Sequence, residues 1–304
     1  MSILASVTKT AKALPPRIVM YAGEKFGKTS FAAHSWNPVF LMTSGETGLI
    51  PLLESGRVPA VSHFPEDFKT WGTLMGAVTA LRDDAHEYRT LVLDTGNGAE
   101  LLCAASVCED SFSGNWSDYG SFGRGDALAV KEWMRFLGLL DVVRAKRRMA
   151  VIILHHAKVK TFSDPAGKSW DQWKPEAIEK LWGQTHKWAD VILFGGFKVN
   201  VTRDDKAASE SRYLRSDASG AVVAGNRYGL AAEMTAAAGA ANLWKVFADA
   251  LGKAKGAGKT APAASSATPA PATVPASPPA DSTSQNGEYV FGVDDPEMEG
   301  VPLS

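Results

Sequence analysis

Up to Leu251 the chain alternates short unbroken apolar runs with longer stretches in which apolar residues return every three or four positions. A strand covered on both faces reads as a continuous apolar run, so Ile18 to Tyr21, Val39 to Met42, Thr90 to Leu93, Ala150 to Leu154 and Val191 to Phe197 predict buried strands. The three-to-four spacing predicts helices over Thr29 to His34, Phe68 to Asp84, Ala99 to Cys108 and Ala127 to Lys146. Strands alternating with helices imply an α/β fold with a mostly parallel sheet flanked by helices. Near the end of this region, Ser211 to Leu214 and Ala221 to Ala224 flank Asp217-Ala218-Ser219-Gly220, which predicts an antiparallel edge hairpin. No internal repeat is visible.

The pattern stops near Gly252, where glycine and lysine give way to an Ala/Pro/Ser/Thr tract. The expected organisation is a folded domain over 1–251, a disordered linker over 252–286 and an acidic tip over 287–304 that carries Tyr289, Phe291 and Met298. Acid with aromatics on a tether reads as a docking peptide for a replication or single-strand-binding protein, or as a solubilising tail. With 45% hydrophobic and 21% charged residues in 304, the chain can bury one substantial core. No run approaches the roughly 18 apolar residues of a membrane span, and a secretory leader is not evident, so the cytoplasm is the expected compartment. A net charge of −1 excludes a strongly basic coat, and any nucleic-acid contact must come from local patches. Cys103 and Cys108 fall on different faces of one helix and read as buried thiols.

The chemistry is concentrated in Arg17 to Ser30, where a short strand runs into a turn ending Gly-Lys-Thr. Ala22 and Gly23-Glu24-Lys25-Phe26-Gly27-Lys28-Thr29 fit the P-loop pattern, with Ala22 in place of the first glycine. Backbone N–H groups from Gly23 to Lys28 would cradle the phosphates of ATP, Lys28 would reach the β and γ oxygens, and Thr29 would hold Mg²⁺. Ser30 completes the segment at the start of the following helix. Asp94, at the end of the run Arg89 to Leu93, has the Walker B arrangement and would share the metal with Thr29. Thr95 follows it, so a water-activating carboxylate must come from elsewhere, and Glu46 after the second strand is the candidate.

Together these residues resemble RecA-like P-loop ATPases, above all the phage nucleotide-binding proteins that include core-only, RecA-like single-strand annealing proteins. The resemblance spans roughly Arg17 to Leu230. Glu46-Thr47-Gly48-Leu49 is similar to the family's glutamate-x-glycine-leucine segment, and His156, in Leu154-His155-His156-Ala157, stands where the family keeps a polar γ-phosphate sensor. Gly225-Asn226-Arg227-Tyr228-Gly229 resembles the Lys-Asn-Arg-aromatic-Gly motif of RadA-type proteins, with Gly225 in the lysine's place. The resemblance implies that Arg227 reaches a neighbouring subunit's nucleotide within a homo-oligomer.

In that architecture, loops after the Walker B helix and after the sensor strand meet single-stranded DNA. The first counterpart, Ser111 to Arg124, offers Trp116 and Tyr119 for base stacking and Arg124 for phosphate. The second, Lys158 to Trp170, offers Lys158, Lys160, Lys168 and Trp170. The basic run Arg144 to Arg148 reads instead as a solvated helix end. Three functions remain open at this stage. The first is a DNA-stimulated ATPase that binds single-stranded DNA and promotes annealing or strand exchange in phage recombination or replication. The second is a nucleotide-controlled adaptor with slow turnover that recruits partners through its tail, and the third is a P-loop kinase, whose arginine-rich lid is not evident.

Overall fold

The computed structural model describes residues 13–201, 207–236 and 243–260, together with Leu4, Val7 and Thr8. The chain divides into two compact units, Met1–Ala261 and Pro262–Ser304; the second, with the expected acidic tip and most of the expected linker, lies outside the described residues.

The apolar runs form strands β1 (Arg17–Ala22), β2 (Pro38–Met42), β4 (Thr90–Asp94), β5 (Ala150–Ser163) and β7 (Val191–Val201). A two-residue strand β3 (Ser62–His63) adds to one edge, and β6 (Ser169–Pro175), β8 (Ala207–Arg215), β9 (Gly225–Asn226) and β10 (Glu233–Ala236) complete the set among the described residues. The sheet runs β10-β8-β7-β1-β5-β4-β2-β3, parallel from β7 to β3, with antiparallel pairing at β8, β10, β9 and β6. The expected mostly parallel sheet is present.

Helices cover both faces: α1 (Lys28–Ala33), α2 (Leu49–Glu54) and α8 (Leu243–Thr260) on one, α3 (Trp71–Asp83), α4 (Gly96–Phe112), α6 (Arg124–Arg147) and α7 (Glu179–Trp188) on the other, with the short α5 (Trp116–Gly120) between α4 and α6. The two-residue period of a strand sorts β1 between the layers. Ile18, Met20 and Ala22 join Phe31, Trp244 and Phe247, whereas Val19 and Tyr21 join Trp71, Trp133 and Phe136. Helix α3 starts where Thr70 accepts a hydrogen bond from the Thr73 N–H at 3.2 Å. Among the described residues, no helix is long and apolar enough to cross a membrane.

Three expectations are corrected. The edge hairpin does not pair Ser211 to Leu214 with Ala221 to Ala224; β8 lies between β7 and β10, and Val222 and Ala224 are instead buried in a turn against the core. Lys158 to Trp170 is not a loop but most of an antiparallel hairpin, because β5 continues past the sheet and pairs with β6 from Ala157↔Pro175 to Ser163↔Ser169. The basic run ending α6 is solvated only in part, with Lys146 and Arg148 exposed but three of its arginines bonded to the protein. Arg144 reaches Asp190 at 3.0 Å and the Pro15 carbonyl, Arg147 the Arg82 and Asp83 carbonyls, and Arg148 the Ala13 carbonyl.

At the N-terminal edge of the sheet Asp190 gathers Arg17, at 2.7 Å, with Arg144 and Arg227. The opposite, C-terminal edge carries the turns that leave β1, β2 and β4 and the point where β5 runs on past the sheet, the place where α/β sheets bind ligands.

Candidate functional site

Between β1 and α1 the chain turns through Gly23 to Gly27, and Gly27 takes φ +110°, a backbone angle that suits glycine. Phe26 anchors this turn from below. Its ring is buried against Gly195 in β7, where an added Cβ would stand 2.3 Å from Phe26 Cε1, so a side chain at 195 would displace the loop. Lys28 then folds back and donates to the carbonyls of Ala22 and Gly23, each at 3.2 Å. Burial lowers the Lys28 pKa, and the carboxylates of Asp94, Glu46 and Glu24 act against that shift.

Thr29 on α1 and three side chains from three strand ends gather around Lys28. Thr29 donates to Asp94 Oδ2 at 2.9 Å. Asp94 is buried at the end of β4, and desolvation pushes its carboxyl up to about 6. A threonine hydroxyl beside a buried carboxylate is an oxygen-only donor set of the kind Mg²⁺ takes, so the residues present fit that ion. Glu46, beyond β2, accepts from His156 Nε2 at 2.9 Å and from the Thr95 hydroxyl at 3.3 Å. The hydrogen bond from His156 is the main cause holding the Glu46 carboxyl below its usual range, and the same bond raises the His156 pKa.

His156 also sits 3.4 Å from Lys28 Nζ through Nδ1. An ammonium can only donate, so Nδ1 accepts and the neutral ring carries its proton on Nε2, facing Glu46. The result is a continuous line from Lys28 through His156 to Glu46. Its neighbour His155 points the other way. Burial pushes it down to about 4, and its Nε2 rests against Gly96 with no partner among the described residues.

Thus Lys28, Thr29, Asp94, Glu46 and His156 converge around the loop from Ala22 to Ser30. Arg227 does not join them in its own chain: it lies at the far edge, 3.4 Å from Asp190 and bonded to the Lys187 carbonyl. Thr95 was visible in the sequence only as a missing glutamate, yet it caps α4 and donates to Glu46. Arg212 on β8 was also missed. Its guanidinium lies 5.9 Å from the Phe26 ring and 5.6 Å from the Phe197 ring, beside the loop, and no motif marks an isolated arginine on a strand.

The two segments expected to meet DNA adjoin at the start of α7. Glu179 pairs with Lys160 at 2.9 Å and Lys174 at 3.2 Å, while Lys180 pairs with Asp126 and approaches Gly123. Lys158 bonds the Ala177 carbonyl, and Trp170 donates to the Gly220 carbonyl while packing on Phe162. Lys168 lies in the exposed turn at the hairpin tip. Trp116 is exposed, but Tyr119 is a correction: its ring is buried against Phe112 and Gly125, leaving no face for a base. Arg124 stacks on Phe112 at 5.5 Å, and the fully exposed aromatic of this region is Phe122, which the sequence reading did not single out.

No curated protein matches this chain. Among solved structures, the crystal structure of the RadB recombinase aligns with a TM-score of 0.42 and 14% identity, over 73% of this chain and 87% of that one. The family described as AAA domain matches residues 14–228, which take in the sheet from β1 through β9, the P-loop turn and all five converging side chains, and the chain belongs to that family.

Proposed function

We propose that the protein is an ATP-dependent, RecA-like, single-stranded-DNA-binding protein that promotes annealing or strand exchange in phage recombination or replication. The line Lys28, His156, Glu46 carries this reading, because His156 sits on β5 and the same strand continues into the lysine-bearing hairpin. Lys28 and the Gly23–Ser30 backbone hold the triphosphate, and Thr29 with Asp94 hold Mg²⁺, which when bound supplies charge neutralisation on the terminal phosphates. Glu46, kept ionised by its hydrogen bond from His156, accepts a hydrogen bond from the attacking water and orients it. A phosphate oxygen competing for Lys28 weakens the ammonium contact to His156 Nδ1, so nucleotide state is felt at the root of the hairpin. Lys158, Lys160, Lys168 and Trp170 on the hairpin, with Trp116, Phe122 and Arg124 beside it, offer phosphate contacts and stacking faces. Arg227 acts, on this reading, on a neighbouring subunit.

The test is ATP hydrolysis by the purified protein with and without single-stranded DNA, with Lys28→Ala as the blank. Stimulation by DNA in the wild type alone supports the proposal. Hydrolysis indifferent to DNA removes the recombination reading and leaves the adaptor, which one observation favours: Glu46 is already engaged by both His156 and Thr95.

A further inference from the structure

The site so far described has its charges on one flank. Asp94, Glu46 and His156 all come from strands on the β5 side of β1, and the other flank, toward β7 and β8, is formed by Phe26, Phe197 and Arg212. The register places Arg212 directly opposite Phe197, so both side chains leave the same face of the two strands, the face on which Phe26 covers Gly195. Phe26 and Phe197 pack edge to face at 5.4 Å. The guanidinium rests beside both rings, and Arg212 Nη1 lies 3.2 Å from where a Cβ on Gly27 would stand. That same point is 4.0 Å from Ser30 Cβ. Among the described residues, no carboxylate or carbonyl takes a hydrogen bond or ion pair from this guanidinium. An arginine held by rings rather than by an acid keeps its donors available.

We propose that Arg212 is a nucleotide-binding residue, gripping the α- and β-phosphates from the β8 side of the P-loop. The inference rests on the nucleotide-binding reading above and adds a recognition element to it. Backbone N–H groups of this turn cradle the α- and β-phosphates in P-loop sites, whereas the lysine reaches outward to β and γ. A cation beside Gly27 and Ser30 therefore addresses the part of the ligand that ATP and ADP share. Its contribution is to the ground-state complex, so it appears in KM and in nucleotide affinity rather than in kcat. Arg227, at the opposite edge of the sheet, cannot substitute for it within one chain.

The experiment is a fluorescence titration of the full chain with mant-ADP and with mant-ATP in the presence of MgCl₂. Wild type is compared with Arg212→Gln, with Arg212→Met, which keeps the apolar stem against the two rings, and with Lys28→Ala. Thermal unfolding without nucleotide checks that each variant is folded. Both Arg212 variants are expected to lose about tenfold or more in affinity, by the same factor for mant-ADP and mant-ATP, as for removal of one charge-assisted contact. If a folded Arg212→Met binds both nucleotides as tightly as wild type, the assignment is wrong while the P-loop reading stands. If wild type and Lys28→Ala alike show no saturable binding, both readings fall together. A variant that loses mant-ATP binding but keeps mant-ADP binding would move the contact to the γ-phosphate and overturn the assignment made here.

Discussion

Glu100 offers a test of how the arm formed by the β5–β6 hairpin is fastened to the core. It has no exposed surface, its Oε2 accepts the Ile178 N–H at 2.6 Å where the hairpin leads into α7, and its Oε1 has no partner among the described residues. Burial pushes its carboxyl up to about 8, with the Ile178 N–H and Lys158 acting weakly against that shift. The folded protein thus carries a proton at neutral pH that the unfolded chain, with an ordinary glutamate near 4.3, does not. Between those values the fold binds more protons than the unfolded chain, so stability falls as pH rises across the window and levels off above about pH 8. At pH 7 the proton costs about 3 to 4 kcal/mol. Glu100→Gln keeps the acceptor for Ile178 and needs no proton. Its amide NH₂ is unpaired where the protonated acid's O–H was also unpaired, so those penalties of about 1 to 3 kcal/mol nearly cancel. The variant should therefore be more stable than wild type by about 2 to 3 kcal/mol at pH 7, by more at pH 8.5, and by nothing below about pH 4.5. Urea unfolding followed by tryptophan fluorescence at pH 4.5, 7 and 8.5 measures this. A variant less stable than wild type throughout, or a difference that does not change with pH, would show that Glu100 is ionised in the fold and refute the argument.

Other parts of the structure give further expectations. Burial alone would raise Asp190, but Arg17 and Arg144 outweigh it and hold it low. Asp190→Ala removes the acid that Arg17, Arg144 and Arg227 share, leaving Asp141 to the first two, and should cost about 3 to 5 kcal/mol in urea unfolding at pH 7. That deficit should shrink only in acid, as pH falls below the unfolded aspartate's value near 3.9. Gly195→Ala drives a Cβ into Phe26 and should lose about 1 to 3 kcal/mol of stability together with nucleotide affinity, read by melting and by mant-ADP titration. Trp116→Ala or Phe122→Ala should weaken single-stranded-DNA binding, by about 1 to 3 kcal/mol for each base unstacked, with melting unchanged. Tyr119→Ala should do the reverse, lowering the melting temperature while an exposed-residue DNA titration stays the same; equal DNA losses for Tyr119 and Trp116 would contradict their different burial.

The sequence announces the nucleotide site well because each piece is local. A P-loop lies within eight consecutive residues, and Asp94 ends an apolar run that burial alone makes visible. Glu46 follows from the threonine after Asp94 and His156 from the resemblance, but their contact spans 110 positions and no periodicity predicts it. The hairpin was read as a loop because Lys158-Val159-Lys160-Thr161-Phe162 alternates without burying either face, so it lacks the apolar signature of a strand. Ala221 to Ala224 erred in the opposite direction. Its Val222 and Ala224 are buried in a turn, while the outer partner of β8, Glu233 to Ala236, buries only Met234 and Ala236. The basic end of α6 looked solvated because its partners, carbonyls at Ala13, Pro15 and Arg82, leave no trace in composition.

Strand β5 runs unbroken from Ala150 to Ser163, and strand geometry makes this a matter of phase. Side chains two apart share a side, so His156, Lys158, Lys160 and Phe162 lie on one, and the pairing with β6 adds Lys174, Gln172 and Trp170 to that side. Core and arm are thereby keyed to one another like teeth cut on a single rack. One extra residue after Ala157 would leave the register with β1 and β4 intact and turn every arm side chain over, whereas two would restore the pattern and only lengthen the reach by about 6.6 Å. The parity of this stretch, more than its composition, is what the fold holds fixed.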